Sequence, residues 1–269
     1  MRRRSRPSLW ASSAAALLLL TACGGRAPEE SLTLAGSTAF QPFAEKLAER
    51  YMELHPGRKV EVQGGGSAVG IQSALTGAAE IGMADLLELP PEAADLVPTT
   101  VARDGIAIVV HPSNPVRNLF ATEAHDVFAG RTRDWSALGG PPGPVRVISR
   151  EEGSGTRRSF DKLVLHGDRL AKDALFQNSN GTVREAVASD PAAVGYVSIG
   201  LVNDRVRAVS FDGVAPTNES VVAGSYALAR PVYFLTRGQP RGPAKEFIDY
   251  VVSAEAQQLL AKEGLIPAR

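Results

Sequence analysis

An α/β body with parallel sheets is the fold class this sequence predicts, on three observations. From Leu32 onward, short strand-like runs alternate with amphipathic helical patterns. Val60 and Val62 alternate with Lys59 and Glu61, the period of a half-buried strand, whereas Phe40, Phe43, Ala44, Leu47, Ala48 and Tyr51 keep the i, i+3, i+4 spacing of one helix face. Three polar, glycine-containing turns, Gly36-Ser37-Thr38, Gly64-Gly65-Gly66-Ser67 and Gly153-Ser154-Gly155-Thr156, each stand between a strand-like run and a helical one.

Taken in order, the first helix should stop at His55-Pro56-Gly57, a sequence that cannot continue it. Further strands are expected at 80–83, 105–110, 145–149, 194–199 and 231–236. Further helices are expected at 68–76, 155–166, 182–189 and 243–263, the last with a break near Ser253. His111-Pro112-Ser113-Asn114-Pro115 and Gly139-Gly140-Pro141-Pro142-Gly143-Pro144 are the strongest loop signals. Neither an internal repeat nor a low-complexity tract is visible.

The N-terminus reads as a leader followed by a tether. Arg2, Arg3, Arg4 and Arg6 precede an apolar stretch from Ala14 to Leu20 and then Leu20-Thr21-Ala22-Cys23, the order of an export signal. A spanning helix needs about 20 apolar residues, and this run is much shorter. Residues 1–22 are therefore expected to be removed. The cleavage region resembles a bacterial lipobox, with Cys23, the chain's only cysteine, becoming the lipidated first residue; the alternative is an incidental cysteine near an ordinary cleavage site. Residues 23–31, small, polar and Pro-containing, read as a flexible tether.

The 29 basic and 29 acidic residues balance, but four of the arginines lie in the leader and no acid does, so the mature chain is four charges to the negative side. A nucleic-acid binder would show a basic excess or stripe, and there is neither. About 240 residues suffice for one large domain or two lobes.

The three turns invite a chemical reading. The first amides of a helix lack intrahelical partners and face the positive end of the dipole, so such a turn can hold an anion while Ser and Thr hydroxyls add donors. The plain alternative is that these residues are N-caps, worth typically about 1 kcal/mol each. Three of them in the strand-to-helix position, where open α/β folds place ligand crevices, weigh toward one shared anion site. Nucleotide loops are excluded: no G-x-x-x-x-G-K-[ST] occurs, and Val69 stands where G-x-G-x-x-G needs glycine. Val69 also breaks the G-x-S-x-G elbow around Ser67. His55 and His111 precede prolines, and His125 and His166 lack metal-ligand spacing, so neither a metal nor a cofactor is implied.

Six segments, in order, then carry a resemblance: Gly36-Ser37-Thr38; Val62-Gln63-Gly64-Gly65-Gly66-Ser67; Glu80-Ile81-Gly82-Met83-Ala84-Asp85; Phe128-Ala129-Gly130; Ser149-Arg150-Glu151-Glu152-Gly153-Ser154-Gly155-Thr156-Arg157; and Val194-Gly195-Tyr196-Val197-Ser198. From about residue 32 to the C-terminus the chain resembles the PstS family of phosphate-binding proteins. The resemblance implies an α/β, two-lobed periplasmic-binding-protein (type II) fold, with lobe I at 32–109 plus 225–269 and lobe II at 110–224. Two crossing strands, within 105–110 and 226–234, would join them around a ligand cleft. It implies a binder, not an enzyme, that passes inorganic phosphate to the permease subunits of an ABC importer. A shuttle that must open and dock is expected to be a monomer, and the leader with Cys23 is expected to place it outside the cytoplasm, lipid-anchored to a bacterial membrane.

The same resemblance implies the site. Thr38 would give its hydroxyl, with the amide of Ala39 or Ser37 in support; Ser67 would give a second hydroxyl; Ser154, Gly155 and Thr156 would donate from the opposite lobe; and Arg150 would bring the positive charge, held by Glu152. Asp85 has the sharpest role, because a carboxylate beside an anion repels it unless the ligand donates a proton, as phosphate can near neutral pH and sulfate cannot. Without the family, a cap or a lysine partner is the ordinary reading of Asp85. Ala84 replaces a hydroxyl residue of many relatives, and Ala39 offers only its backbone; each lost bond to a charged group is worth about 1.5–3 kcal/mol. Other readings are a binder of sulfate, molybdate, tungstate or arsenate, a phosphate-sensing or adhesin subunit, and a secreted hydrolase, which lacks a nucleophile with its base.

Overall fold

The computed structural model describes residues 30–268; the leader and Cys23 lie outside them. The first lobe begins with β1 (Glu30–Gly36), α1 (Gln41–Leu54), β2 (Arg58–Gln63), α2 (Ser67–Thr76) and β3 (Ile81–Ala84), after which β4 (Leu96–Val110) leaves it. There follow β5 (Asn118–Leu119), α3 (Ala121–Phe128), β6 (Arg146–Arg150), α4 (Gly155–Phe160), β7 (Leu175–Gln177), α5 (Asn180–Ala188), β8 (Ala193–Ser198), β9 (Arg207–Ala208), β10 (Ser210–Phe211) and α6 (Asn218–Val222). The chain returns on β11 (Ala229–Arg237) and closes with α7 (Gly242–Val251), α8 (Ala254–Lys262) and β12 (Ile266–Pro267).

The main sheet has the order β2-β1-β3-β11-β4-β8-β6-β7. Within each lobe the pairs β1–β2, β1–β3, β6–β7 and β6–β8 are parallel, as the alternating elements imply. The expectation of parallel sheets fails at the centre: β11 is antiparallel to β3 and β4, and β4 to β8. Strands that carry the chain out of a lobe and back run against their neighbours. At 15 residues, β4 spans roughly 50 Å, long enough to serve both halves. It pairs with β11 over Leu96–Gly105 and with β8 over Ile106–Val110.

The sequence marks only the 105–110 part of β4. Its first half contains Pro98, Arg103 and Asp104, residues that argue against a strand locally, but Asp104 is neutralised by Arg230 on β11, a partner 126 residues away. The expected helix at 155–166 is α4 followed by a π-helical turn, Asp161–Leu165, ending at His166 in the left-handed region (φ 49°). The break near Ser253 is a cap, its hydroxyl accepting from Ala256 N.

Two buried clusters match the two halves. Phe40, Leu47, Phe234 and Phe247 pack in the first. Phe128, Phe160 and Tyr196 pack in the second, with the Phe160 and Tyr196 rings stacked at 4.0 Å. Helix α2 lies directly on the backbone of β1 and β3, which requires glycine at 70: a Cβ there would meet Ala35 O at 2.9 Å and Met83 O closer still. Gly70→Ala is expected to lower stability by about 1–3 kcal/mol, as overpacking does, and a thermal melt would read that as a drop of several degrees.

Candidate functional site

The three glycine turns face one another across the two halves. The first, after β1, folds on itself: Ser37 N–H donates to Met83 O at 2.9 Å, and its hydroxyl accepts from Phe40 N at 3.1 Å. Ser37 is thus buried with its amide already used, and of the two supporting amides it is that of Ala39 that stays open. Among the described residues, the amides of Thr38 and Ala39 have no partner.

The second turn starts α2 and holds Asp85, which follows β3. Ser67 Oγ donates to Asp85 Oδ1 at 2.7 Å and accepts from Asp85 N at 3.1 Å. The third starts α4 from the other half. Ser154 caps the helix by accepting from Arg157 N, and Thr156 Oγ1 donates to Asp85 Oδ2 at 3.0 Å. The amides of Gly155 and Thr156, in the first turn of the helix, have no partner among the described residues. The lobes touch here: Ala68 N donates to Gly153 O at 3.0 Å, and a Cβ on Gly155 would meet Asp85 Oδ1 at 2.7 Å.

Arg150 ends β6 almost fully buried. Its Nε and Nη2 fork onto the two oxygens of Glu151 at 2.9 and 2.8 Å, and Gln177 O and Asn178 O also accept from it. Its Nη1 is buried with no partner, an open donor on a permanently charged group. The supporting carboxylate is therefore Glu151 and not Glu152, which corrects the expectation. In the turn closed by Ser154 N on Glu151 O, Glu152 occupies an outer corner and its side chain is exposed.

Three residues that the sequence does not single out join the cluster, Asn180, Arg230 and Asp104, together with Ser198 from the sixth segment. Asn180, at the start of α5, reaches both Thr38 Oγ1 and Thr156 Oγ1 at 3.4 Å, and its Oδ1 accepts from Ser198 N. Arg230 lies 2.6 Å from Asp85 Oδ2, 3.0 Å from Asp104 Oδ2 and 3.1 Å from Thr156 Oγ1, while Ser198 Oγ donates to Asp104 Oδ1 at 2.7 Å. Burial pushes the Asp104 carboxyl above the usual carboxylate range, against the pull of Arg230 and Ser198. The one sequence signal for Arg230 and Asp104 is a charge set beside an apolar strand run.

A closed cleft between two lobes, lined by helix-start amides and buried guanidinium groups, defines an anion-binding protein of the two-lobed kind. The family model described as a PBP superfamily domain matches residues 22–255. The phosphate-binding protein PstS of Bacillus subtilis is 36% identical over 242 residues, covering 88% of this chain and 80% of that one. PstS of Pseudomonas aeruginosa is 26% identical, covering 88% and 83%. Among solved structures, a substrate-binding protein with bound phosphate, assigned to a phosphate ABC transporter in Clostridium perfringens, superposes with a TM-score of 0.85 at 36% identity, over 89% of this chain and all of that one. An ABC-type phosphate transport receptor from Vibrio cholerae gives 0.74 at 34%, over 88% and 100%. The chain belongs to the PstS-type phosphate-binding proteins of the PBP superfamily.

Proposed function

We propose that this chain captures inorganic phosphate in the cleft by lobe closure and hands it to the permease subunits of an ABC importer, with no covalent step. The observation that carries this reading is Asp85: a carboxylate 2% exposed, fixed by Ser67 and Thr156, stands beside unpaired amides and within the same cluster as a guanidinium with a free donor. Such a site takes an anion only if the anion also brings a proton to donate. In this reading Thr38, Ala39, Ser154, Gly155 and Thr156 supply neutral donors, Ser67 orients Asp85, and Arg150, forked by Glu151, supplies charge. We divide the chain at β4 and ahead of β11, giving lobe I as 32–109 with 225–269 and lobe II as 110–224, to within a few residues.

Lipidation of Cys23, anchoring outside the cytoplasm, a monomeric state and the absence of catalysis belong to the same proposal and rest on the leader sequence and on the family. Among the described residues no helix is long and apolar enough to cross a membrane. The test is isothermal titration of the body beginning after Cys23, freed of endogenous ligand, with phosphate and then sulfate near neutral pH. Phosphate is expected to bind tightly and sulfate to give no heat. Folded, ligand-free protein that ignores phosphate would sink the reading.

A further inference from the structure

The pair Arg230 and Asp104 stands face to face where β11 and β4 run side by side, and no contact with ligand has been assigned to either. The Arg230 side chain is fully buried, and its Nη2, with two hydrogens, lies within reach of three acceptors: Asp85 in one lobe, Thr156 in the other and Asp104 on the crossing strand. Its Nε and Nη1 are buried without partners. Both oxygens of Asp104 are acceptors, one from Ser198 and one from Arg230, so each carboxylate oxygen is met by a donor.

The charges at this point are uneven. Asp104 counts as ionised, since both its oxygens accept. Asp85, Asp104 and Glu151 therefore oppose Arg150 and Arg230, while Arg157, which donates to Arg150 O, is matched by Asp161. Among the described residues the cleft with its immediate supports thus has one more negative than positive group. A second anion entering such a place is repelled unless hydrogen bonds outweigh the repulsion, and the extra bond from a ligand proton to Asp85 is available only to a protonated oxyanion.

Resting on the phosphate reading above, we propose that Asp104, acting through Arg230, is a specificity-determining residue of this site. By drawing Arg230 between two carboxylates it keeps the cleft one charge short of neutral, so that an anion carrying a hydrogen-bond donor is accepted and a fully ionised one is refused. Asp104 is a positioning residue in this scheme: it touches Arg230 and Ser198 and reaches the ligand only by way of Arg230.

Asparagine is the matched replacement, since its Oδ1 can still accept from Arg230 and its amide can donate to Ser198 Oγ. Near neutral pH sulfate is a dianion, whereas phosphate can enter as the dihydrogen phosphate monoanion, so a unit charge a few Å away, at an effective dielectric constant near 20, weighs against sulfate by one charge more, roughly one to two orders of magnitude in binding. Asp104→Asn is therefore expected to lower the phosphate-to-sulfate affinity ratio at least about tenfold, chiefly because sulfate now binds. A purely structural role would weaken both anions together and leave the ratio unchanged. Titration with each anion, beside a melt of the ligand-free chain, reads the difference, and Asp104→Ser serves if asparagine does not fold. A wild-type ratio in the folded variant overturns the role of Asp104 and leaves the phosphate reading standing. A wild-type chain that takes up neither anion overturns both.

Discussion

Gly155→Ala should weaken phosphate binding by up to about two orders of magnitude while leaving each lobe folded. The added methyl would lie 2.7 Å from Asp85 Oδ1 and from Asp85 O, and closer to Ser67 Oγ. These atoms belong to the opposite lobe and are themselves locked, Asp85 by Ser67 and Thr156. Neither is the far end of a flexible side chain, so relief comes only from opening the cleft. Overpacking of this kind costs about 1–3 kcal/mol, and because binding is coupled to closure it appears in the dissociation constant as a loss of roughly five- to a hundred-and-fiftyfold. The ligand-free variant should melt near the wild-type temperature, because none of the buried apolar clusters uses this contact. Wild-type affinity in titration calorimetry would mean that the bound arrangement is more open than the one described.

The anion site was legible in the sequence wherever a local pattern carries it. The glycine turns sit between elements of alternating period, and both signals act over a few residues, so α2, α4 and the residues around Ser67, Arg150 and Gly155 fall where the pattern puts them. Illegible were interactions whose partners are far apart along the chain. Arg230 and Asp104 look like interruptions of strands until β11 and β4 are laid side by side. The choice between Glu151 and Glu152 depends on which of two adjacent side chains a single turn sends inward, and composition cannot rank them. Ser37 shows the same limit: its amide, one of two offered in support of Thr38, donates to Met83 O on a neighbouring strand, which no local pattern reveals.

Removing the Arg150 guanidinium should have the largest effect of any side-chain change in the cleft. Arg150→Gln takes away the charge and the free Nη1, and it leaves Glu151, with a third of its side chain exposed, as an unpaired carboxylate beside the turn at Gly66, where a Cβ would lie 3.2 Å from its Oε1. Truncating one partner of a hydrogen-bonded, desolvated charge pair costs roughly 2–5 kcal/mol, which is thirtyfold to several thousandfold in Kd. Two contributions are mixed in that figure, the lost attraction and the repulsion newly exposed from Glu151, and the double variant Arg150→Gln/Glu151→Gln separates them. If repulsion dominates, the double variant should recover most of the affinity lost by the single one; if the guanidinium contacts the anion through Nη1, it should recover little. We expect little, because a buried donor without a protein partner is costly in the empty site and is satisfied when the ligand supplies an oxygen. Titration of the single and double variants with phosphate, set against the wild type, decides between the two, and full recovery would reduce Arg150 to a counter-ion for Glu151.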